Sequence, residues 1–107
     1  MSGRLAPGYK CGMIVEYIRY RIPAADHARF IDAYRTAGPD LTASPHCLRW
    51  EMAQGVEEPD HFIVRIEWDS IEGHERGFRR GPHFPPFFAK VKPFFSNIQE
   101  MKHYTTL

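Results

Sequence analysis

The sequence predicts a single α+β domain built on one four-stranded antiparallel sheet, with its helices on one face. Three observations predict it. The chain of 107 residues is the length of one domain. Its apolar residues repeat every second position in four segments and at helical spacing in three others, in the order β-α-β-β-α-α-β. Prolines and glycines fall between these segments, where breakers belong.

Residues 1–12 hold Gly3, Pro7 and Gly8 and no periodicity, which reads as a flexible arm ahead of a single domain over 13–107. The first strand is expected over 13–22, rich in Ile, Val and Tyr, and Pro23 ends it. A helix follows over 25–37, with His27, Phe30, Ile31 and Tyr34 at helical spacing. Gly38 and Pro39 are read as its stop. The second strand covers 47–54, Gly55 and Pro59 mark a turn, and the third strand covers 61–68. Asp69 with Glu72 three residues on resembles a capping box and opens a second helix that ends near Gly81 and Pro82. A third helix starts at Phe84 with Pro85 and Pro86 in its first turn, where proline is tolerated. It shows one apolar face of Phe84, Phe87, Phe88 and Val91 and ends at Pro93. The last strand runs over 97–105. This order is the split-βαβ, ferredoxin-like arrangement, with the helices against one side of the sheet.

Charge fixes the register of the middle strands. Alternation puts Leu48, Trp50 and Met52 on one face of the second strand and Cys47, Arg49 and Glu51 on the other. In the third strand Phe62, Val64, Ile66 and Trp68 oppose Ile63, Arg65 and Glu67. Setting Arg49 against Glu67 also sets Glu51 against Arg65 and Trp50 against Ile66, whereas a slip of two residues would oppose two arginines. One face of the sheet is then expected to be apolar throughout and to lie under the helices. The other carries Tyr17, Arg19, Arg21, Arg49, Glu51, Ile63, Arg65 and Glu67. Such a face can stand in water or pair with its twin about a twofold axis.

Composition narrows the function classes. Net charge is +1 with acidic and basic residues interspersed, which excludes the basic stripe of a nucleic-acid binder. Arg76, Arg79 and Arg80 read as a solvated helix face. No apolar run nears the ~20 residues of a membrane span, and the N-terminus has no signal-like apolar region, so a cytoplasmic protein with no membrane partner is expected. Cys11 and Cys47 form no disulfide framework, and Cys47 reads as a small core residue. No two histidines stand three or four apart, so the spacing indicates no metal site. Eight Phe, five Tyr and two Trp are many for this length and suit a pocket for a planar ligand.

Certain stretches are more specific. Ser44-Pro45-His46-Cys47-Leu48-Arg49-Trp50-Glu51 leads through Glu57-Glu58-Pro59 to Ile66-Glu67-Trp68-Asp69-Ser70, then to His74 and Gly81-Pro82-His83-Phe84. Together with the element order over residues 13–105, these resemble the antibiotic-biosynthesis monooxygenase domain, of the dimeric α/β-barrel group. The resemblance implies a homodimer joined through its sheet faces, with a pocket between sheet and helices in each subunit. It also implies oxygenation of phenolic or quinol-type aromatic small molecules, with molecular oxygen as co-substrate and neither metal nor flavin. Many relatives have histidine where this chain has Phe78. The haem-degrading branch has an asparagine on the first strand and a histidine on the last helix. Neither is found in Tyr17 to Arg19 or in Phe84 to Lys92, which disfavours haem chemistry.

The expected catalytic group is Trp68, His74 and His83. Trp68 would orient the ring and its oxygen, and His74 or His83 would take the phenolic proton. The expected pocket wall is Tyr20, Trp50, Phe62, Val64, Phe78, Phe84, Phe87, Phe88 and Met101, with Ile18 and Met52 beside them. Tyr20 and Tyr34 are possible hydrogen-bond partners of a substrate oxygen. His46 and His103 are expected to be structural. The rival functions are a ligand-binding module without chemistry, because a fold does not fix a function, and a haem-binding protein.

Overall fold

The computed structural model describes residues 13–107; the expected arm and Cys11 lie outside the described residues. Strand β1 (Ile14–Arg21) leads through a 3-10 turn (Ala24–Asp26) into helix α1 (His27–Ala43). Strands β2 (Cys47–Gln54) and β3 (His61–Trp68) follow. A helical segment then becomes π-helical over Gly73–Phe78 and precedes helix α2 (Phe84–Val91), a 3-10 turn (Lys92–Asn97) and strand β4 (Ile98–Thr105). The sheet is antiparallel throughout, in the order β2-β3-β1-β4, as the ferredoxin-like pattern requires.

Alternation along β3 explains which face is covered. Phe62, Val64, Ile66 and Trp68 are each at most 1% exposed, and with Ile18 and Tyr20 of β1 and Ile22 just after it they meet Phe30, Tyr34 and Leu41 of α1. The Phe30 ring stands 4.8 Å from that of Tyr20 and 4.9 Å from that of Phe62, both tilted, as aromatic quadrupoles prefer. The charge-matched register is observed: Arg49 opposes Glu67, Trp50 opposes Ile66 and Glu51 opposes Arg65. Arg49 and Arg65 both reach Glu67, at 3.3 and 2.6 Å.

Four sequence expectations change. First, the β2–β3 ladder shifts between Cys47 and Arg49. This bulge turns Leu48 outward and sets Cys47 opposite Trp68, against the core; an inserted residue reverses the alternation before it. Second, α1 runs through Gly38 and Pro39. Gly38 is no stop: a Cβ there would come within 2.5 Å of Trp50 Cζ2, so the glycine lets the indole lie on the helix. Burial of Tyr34, Ala37 and Leu41 carries the helix past the N–H that proline lacks.

Third, Asp69 does not cap the next helix. Its carboxylate lies 2.8 Å from His46 Nδ1, and Ser70 Oγ instead accepts the Gly73 N–H at 2.9 Å. The segment widens to a π-turn whose Gly73 and Gly77 face the His46 ring; a Cβ on Gly77 would collide with His46 Cδ2. Fourth, the covered face of the sheet is not wholly apolar. Glu16, between Val15 and Tyr17, lies on it and is 2% exposed.

Candidate active site

Glu16 is the centre of the site, and strand register supplies most of its neighbours. Across β1–β4 it pairs with His103, and across β1–β3 with Ile66. Trp68 lies two residues beyond Ile66 on the same face, a diagonal neighbour within reach of a long side chain. Its indole Nε1–H donates to Glu16 Oε1 at 3.0 Å. The π-turn adds His74, whose ring stacks on Trp68 with centroids 4.4 Å apart and planes 10° from parallel. His74 Nε2 stands 3.6 Å from Glu16 Oε1, and its Nδ1 is 2.8 Å from His103 Nε2. The Arg79 N–H donates to the His74 carbonyl at 3.0 Å. That five-residue step is the π-type bond that aligns Arg79 with the site.

Burial dominates the electrostatics. Desolvation raises the Glu16 carboxyl to about 7, opposed by the Trp68 hydrogen bond and the Arg79 charge. Desolvation lowers His74 to about 3, aided by Arg79 and His103. The approach of His74 to Glu16 is therefore not an ion pair at neutral pH, because the imidazole is neutral. His103, half-buried, is lowered by desolvation, with Glu75 opposing and Arg79 assisting. A buried carboxyl that titrates near neutrality in a cleft is the usual mark of a group able to exchange protons there.

Glu16, Trp68, His74 and Arg79 line a cavity of about 270 Å³ between the sheet and α2, with His103 behind His74. From the sheet side Ile18, Tyr20, Trp68 and Met101 line it; from the helical side Phe78, Phe84, Phe87 and Phe88 do. His74 and Tyr34 line it too. Met101 and the neighbouring Phe95 are 39% and 56% exposed, which puts the mouth at their side. In the wall, Tyr20 and Tyr34 share a hydrogen bond between hydroxyls at 2.5 Å. Burial holds both phenols neutral, Tyr20 at about 12 and Tyr34 well above its usual value.

Five expected site residues stand elsewhere. Phe62 and Val64 are core beneath α1, Phe62 against Phe30 and His27. Trp50 packs outside the cavity on Gly38 and Tyr34. Met52, expected beside them, is also absent from the cavity wall and packs against the core. His83 occupies the N-cap position of α2, where its carbonyl accepts the Phe87 N–H at 3.4 Å and its side chain makes no cap bond. Two expected roles change as well. The Trp68 N–H is bound to Glu16, so the indole orients the carboxyl rather than a substrate oxygen. His103, expected to be structural, belongs to the site. Glu16 had no expected role, although strand alternation placed it beside Ile18 and Tyr20, a carboxylate among core residues; Arg79, expected on a solvated helix face, is exposed and also lines the cavity.

Glu16, His74 and His103 are also a set that could hold a metal, with one ligand atom each, all within 4.8 Å of one another. Histidine spacing gave no hint of it, since the register and the π-turn assemble it. Two histidines and a carboxylate suit first-row divalent ions. The facing nitrogens of His74 and His103, however, are at hydrogen-bond distance. Two nitrogens on one tetrahedral ion with bonds of ~2.1 Å would stand about 3.4 Å apart, so binding would require the rings to separate. Cys47 offers no reactive thiolate, because burial pushes its thiol to about 11.

The family model described as antibiotic biosynthesis monooxygenase matches residues 13–90. The uncharacterized protein YczJ of Bacillus subtilis (strain 168) is 23% identical over 92 residues, 86% of this chain and 97% of YczJ. Among solved structures, a Bordetella bronchiseptica protein named for the antibiotic biosynthesis monooxygenases superposes with a TM-score of 0.78 at 20% identity, over 90% of this chain and 98% of that one. SnoaB of Streptomyces nogalater, a cofactor-independent oxygenase, superposes with a TM-score of 0.70 at 13% identity, over 91% of this chain and 95% of SnoaB. At these identities the structures establish a shared fold.

Proposed function

This chain belongs to the antibiotic biosynthesis monooxygenase family, and from that premise we propose that it is a cofactor-independent oxygenase of phenolic or quinol-type aromatics. The observation that carries the reading is a buried carboxyl, poised near neutrality, lining an aromatic-walled cavity. The cavity lies at the small end of the range for ligand sites and suits two or three fused rings.

Chemically, the phenol must lose its proton before its ring is electron-rich enough to react with oxygen. Ionised Glu16 is the base; His74, held near 3, is too weak. Arg79 supports the phenolate charge, a preorganised electrostatic contribution. The ring then supplies all the electrons: a phenol with a free para position plus O2 gives a quinone plus water. Phe78, Phe84, Phe87 and Phe88 keep water from the reacting ring.

The test is oxygen uptake with 1-naphthol in chelator-treated buffer. The expected result is one O2 consumed per 1,4-naphthoquinone formed, with Glu16→Gln slower by about 100-fold. Saturable binding of naphthols without oxygen uptake would make the chain a ligand-binding member of its family.

The same reading includes a homodimer through the open face of the sheet. Supporting it, that face exposes an aromatic pair, Tyr17 and Tyr104, whose rings meet edge to face at 5.3 Å. Around the pair lie Arg19–Glu100 and Lys102–Glu100 contacts at 3.4 and 3.0 Å, the mixture of apolar centre and charged rim that interfaces use.

A further inference from the structure

Glu16, His74 and His103 cluster at the cavity, one polar atom of each within 4.8 Å of the others, and their burial falls off towards the protein surface. Glu16 is 2% exposed and His74 4%, while His103, on the edge strand β4, is half-buried. Only one proton can sit between His74 Nδ1 and His103 Nε2, which are 2.8 Å apart. The tautomers of the two rings are therefore locked together. They are also locked to Glu16. If His74 carries its proton on Nδ1, its bare Nε2 faces the Glu16 oxygen 3.6 Å away, which suits a protonated carboxyl and repels an ionised one. If His74 carries its proton on Nε2, that N–H faces an ionised Glu16, and His103 Nε2–H donates to Nδ1.

We infer that these three side chains form a proton path from the buried carboxyl of the cavity to solvent. Protonated Glu16 gives its proton to His74 Nε2, and His74 gives its Nδ1 proton to His103 Nε2. His103, briefly an imidazolium, then loses its Nδ1 proton to water. The balance is one proton moved from Glu16 to solvent, with both rings changed in tautomer and no other bond altered. The same transfers run in reverse when His103 takes a proton on Nδ1 from water, so the path exchanges a proton between Glu16 and solvent in either direction. The 3.6 Å step is beyond a hydrogen bond, and a side-chain shift of well under an ångström closes it. The stacking of His74 on Trp68, which also holds Glu16, keeps the ring in plane for both transfers.

The surroundings keep the proton on the path. Trp68 faces it from β3, the Tyr20 and Tyr34 phenols from β1 and α1, and Arg79 and Glu75 from the π-turn side. Both phenols stay neutral across the working range. Arg79 discourages any lasting charge on either imidazole. From α2 the cavity receives Phe84, Phe87, Phe88 and Val91, which take no proton. The source of the proton, a bound phenol, rests on the oxygenase reading; the coupling of the three side chains does not.

Two measurements on the full chain separate those claims. Histidine ring-nitrogen NMR of the substrate-free protein should show His74 changing from the Nδ1–H to the Nε2–H tautomer as pH rises through the Glu16 titration. His103 should follow, and Glu16→Gln should hold both in one form. A single His74 tautomer across that range in the unaltered chain overturns the path. In oxygen uptake with 1-naphthol, His103→Ala should lower kcat by roughly tenfold with KM little changed, and added imidazole should restore most of the loss. An unchanged kcat, or a loss that imidazole leaves in place, overturns it. Absence of oxygen uptake in the unaltered chain defeats the oxygenase reading and leaves the NMR result to decide the coupling. Stoichiometric Zn(II) uptake that His103→Gln abolishes would assign the trio as a metal site and overturn the path.

Discussion

Glu16 and His74 are a buried acid and a buried base whose titrations are displaced in opposite directions, so their effects on stability oppose. Glu16 is raised from 4.5 to about 7. Between those values the folded chain holds a proton that the unfolded chain has lost, so this group's contribution is full below 4.5 and falls as pH rises to 7. His74 is lowered from 6.5 to about 3. There the unfolded chain holds the extra proton, so its contribution rises with pH through that window. Each amounts to a few kcal/mol over its full range, and between 4.5 and 6.5 they largely cancel. Removing Glu16 removes the falling arm. Thermal melts of Glu16→Gln across about pH 4 to 8 should therefore show Tm climbing more steeply up to 6.5 than in the unaltered chain, without the decline from 6.5 to 7. Matching Tm profiles would mean that the carboxyl is not desolvated. None of this was legible from residue types alone. A glutamate in a strand is ordinarily a surface residue, and only its position in the alternation, between Ile14 and Ile18, marked it as inward.

At the scale of elements, the misread helix end and the misread cap share a cause. Gly38 has the composition of a stop signal, yet it serves an inter-element contact with Trp50. Gly73 and Gly77 do the same for His46. A glycine in an exposed helix interior costs about 1 kcal/mol relative to alanine, so Gly→Ala ordinarily stabilises. At Gly38 the sign should reverse, because the new Cβ would lie 2.5 Å from Trp50 Cζ2 and the indole must move. Urea denaturation of Gly38→Ala should show a loss of about 1–3 kcal/mol. In Gly38→Ala combined with Trp50→Leu most of that loss should return. A stabilised single variant would mean that Trp50 adjusts without cost. The strands are legible because period-two alternation and cross-strand charges are local or nearest-neighbour properties. The bulge at Leu48 is not, since a one-residue insertion leaves no mark in composition.

For the molecule as a whole, the helices cover one face of the sheet and leave the other bare, with Tyr17 and Tyr104 on it. The proposed dimer predicts a mass of two chains by size exclusion with light scattering. Tyr104→Lys should shift the population towards one chain by adding a charge at the centre of the contact. A single-chain mass for the unaltered protein would overturn the dimer. No helix among the described residues is long and apolar enough to cross a membrane.

The sequence by itself determined the α+β class, the element order, the pairing of Arg49 with Glu67, and the aromatic face of α2 that walls the cavity. Each follows from periodicity, punctuation or charge matching within a few residues or one strand pair. Tertiary structure alone decided which polar groups meet. Glu16, Trp68, His74 and His103 come from three strands and a π-turn, and their shared burial sets the carboxyl near neutrality. Desolvation is a property of everything packed around a group, and no window of sequence contains it.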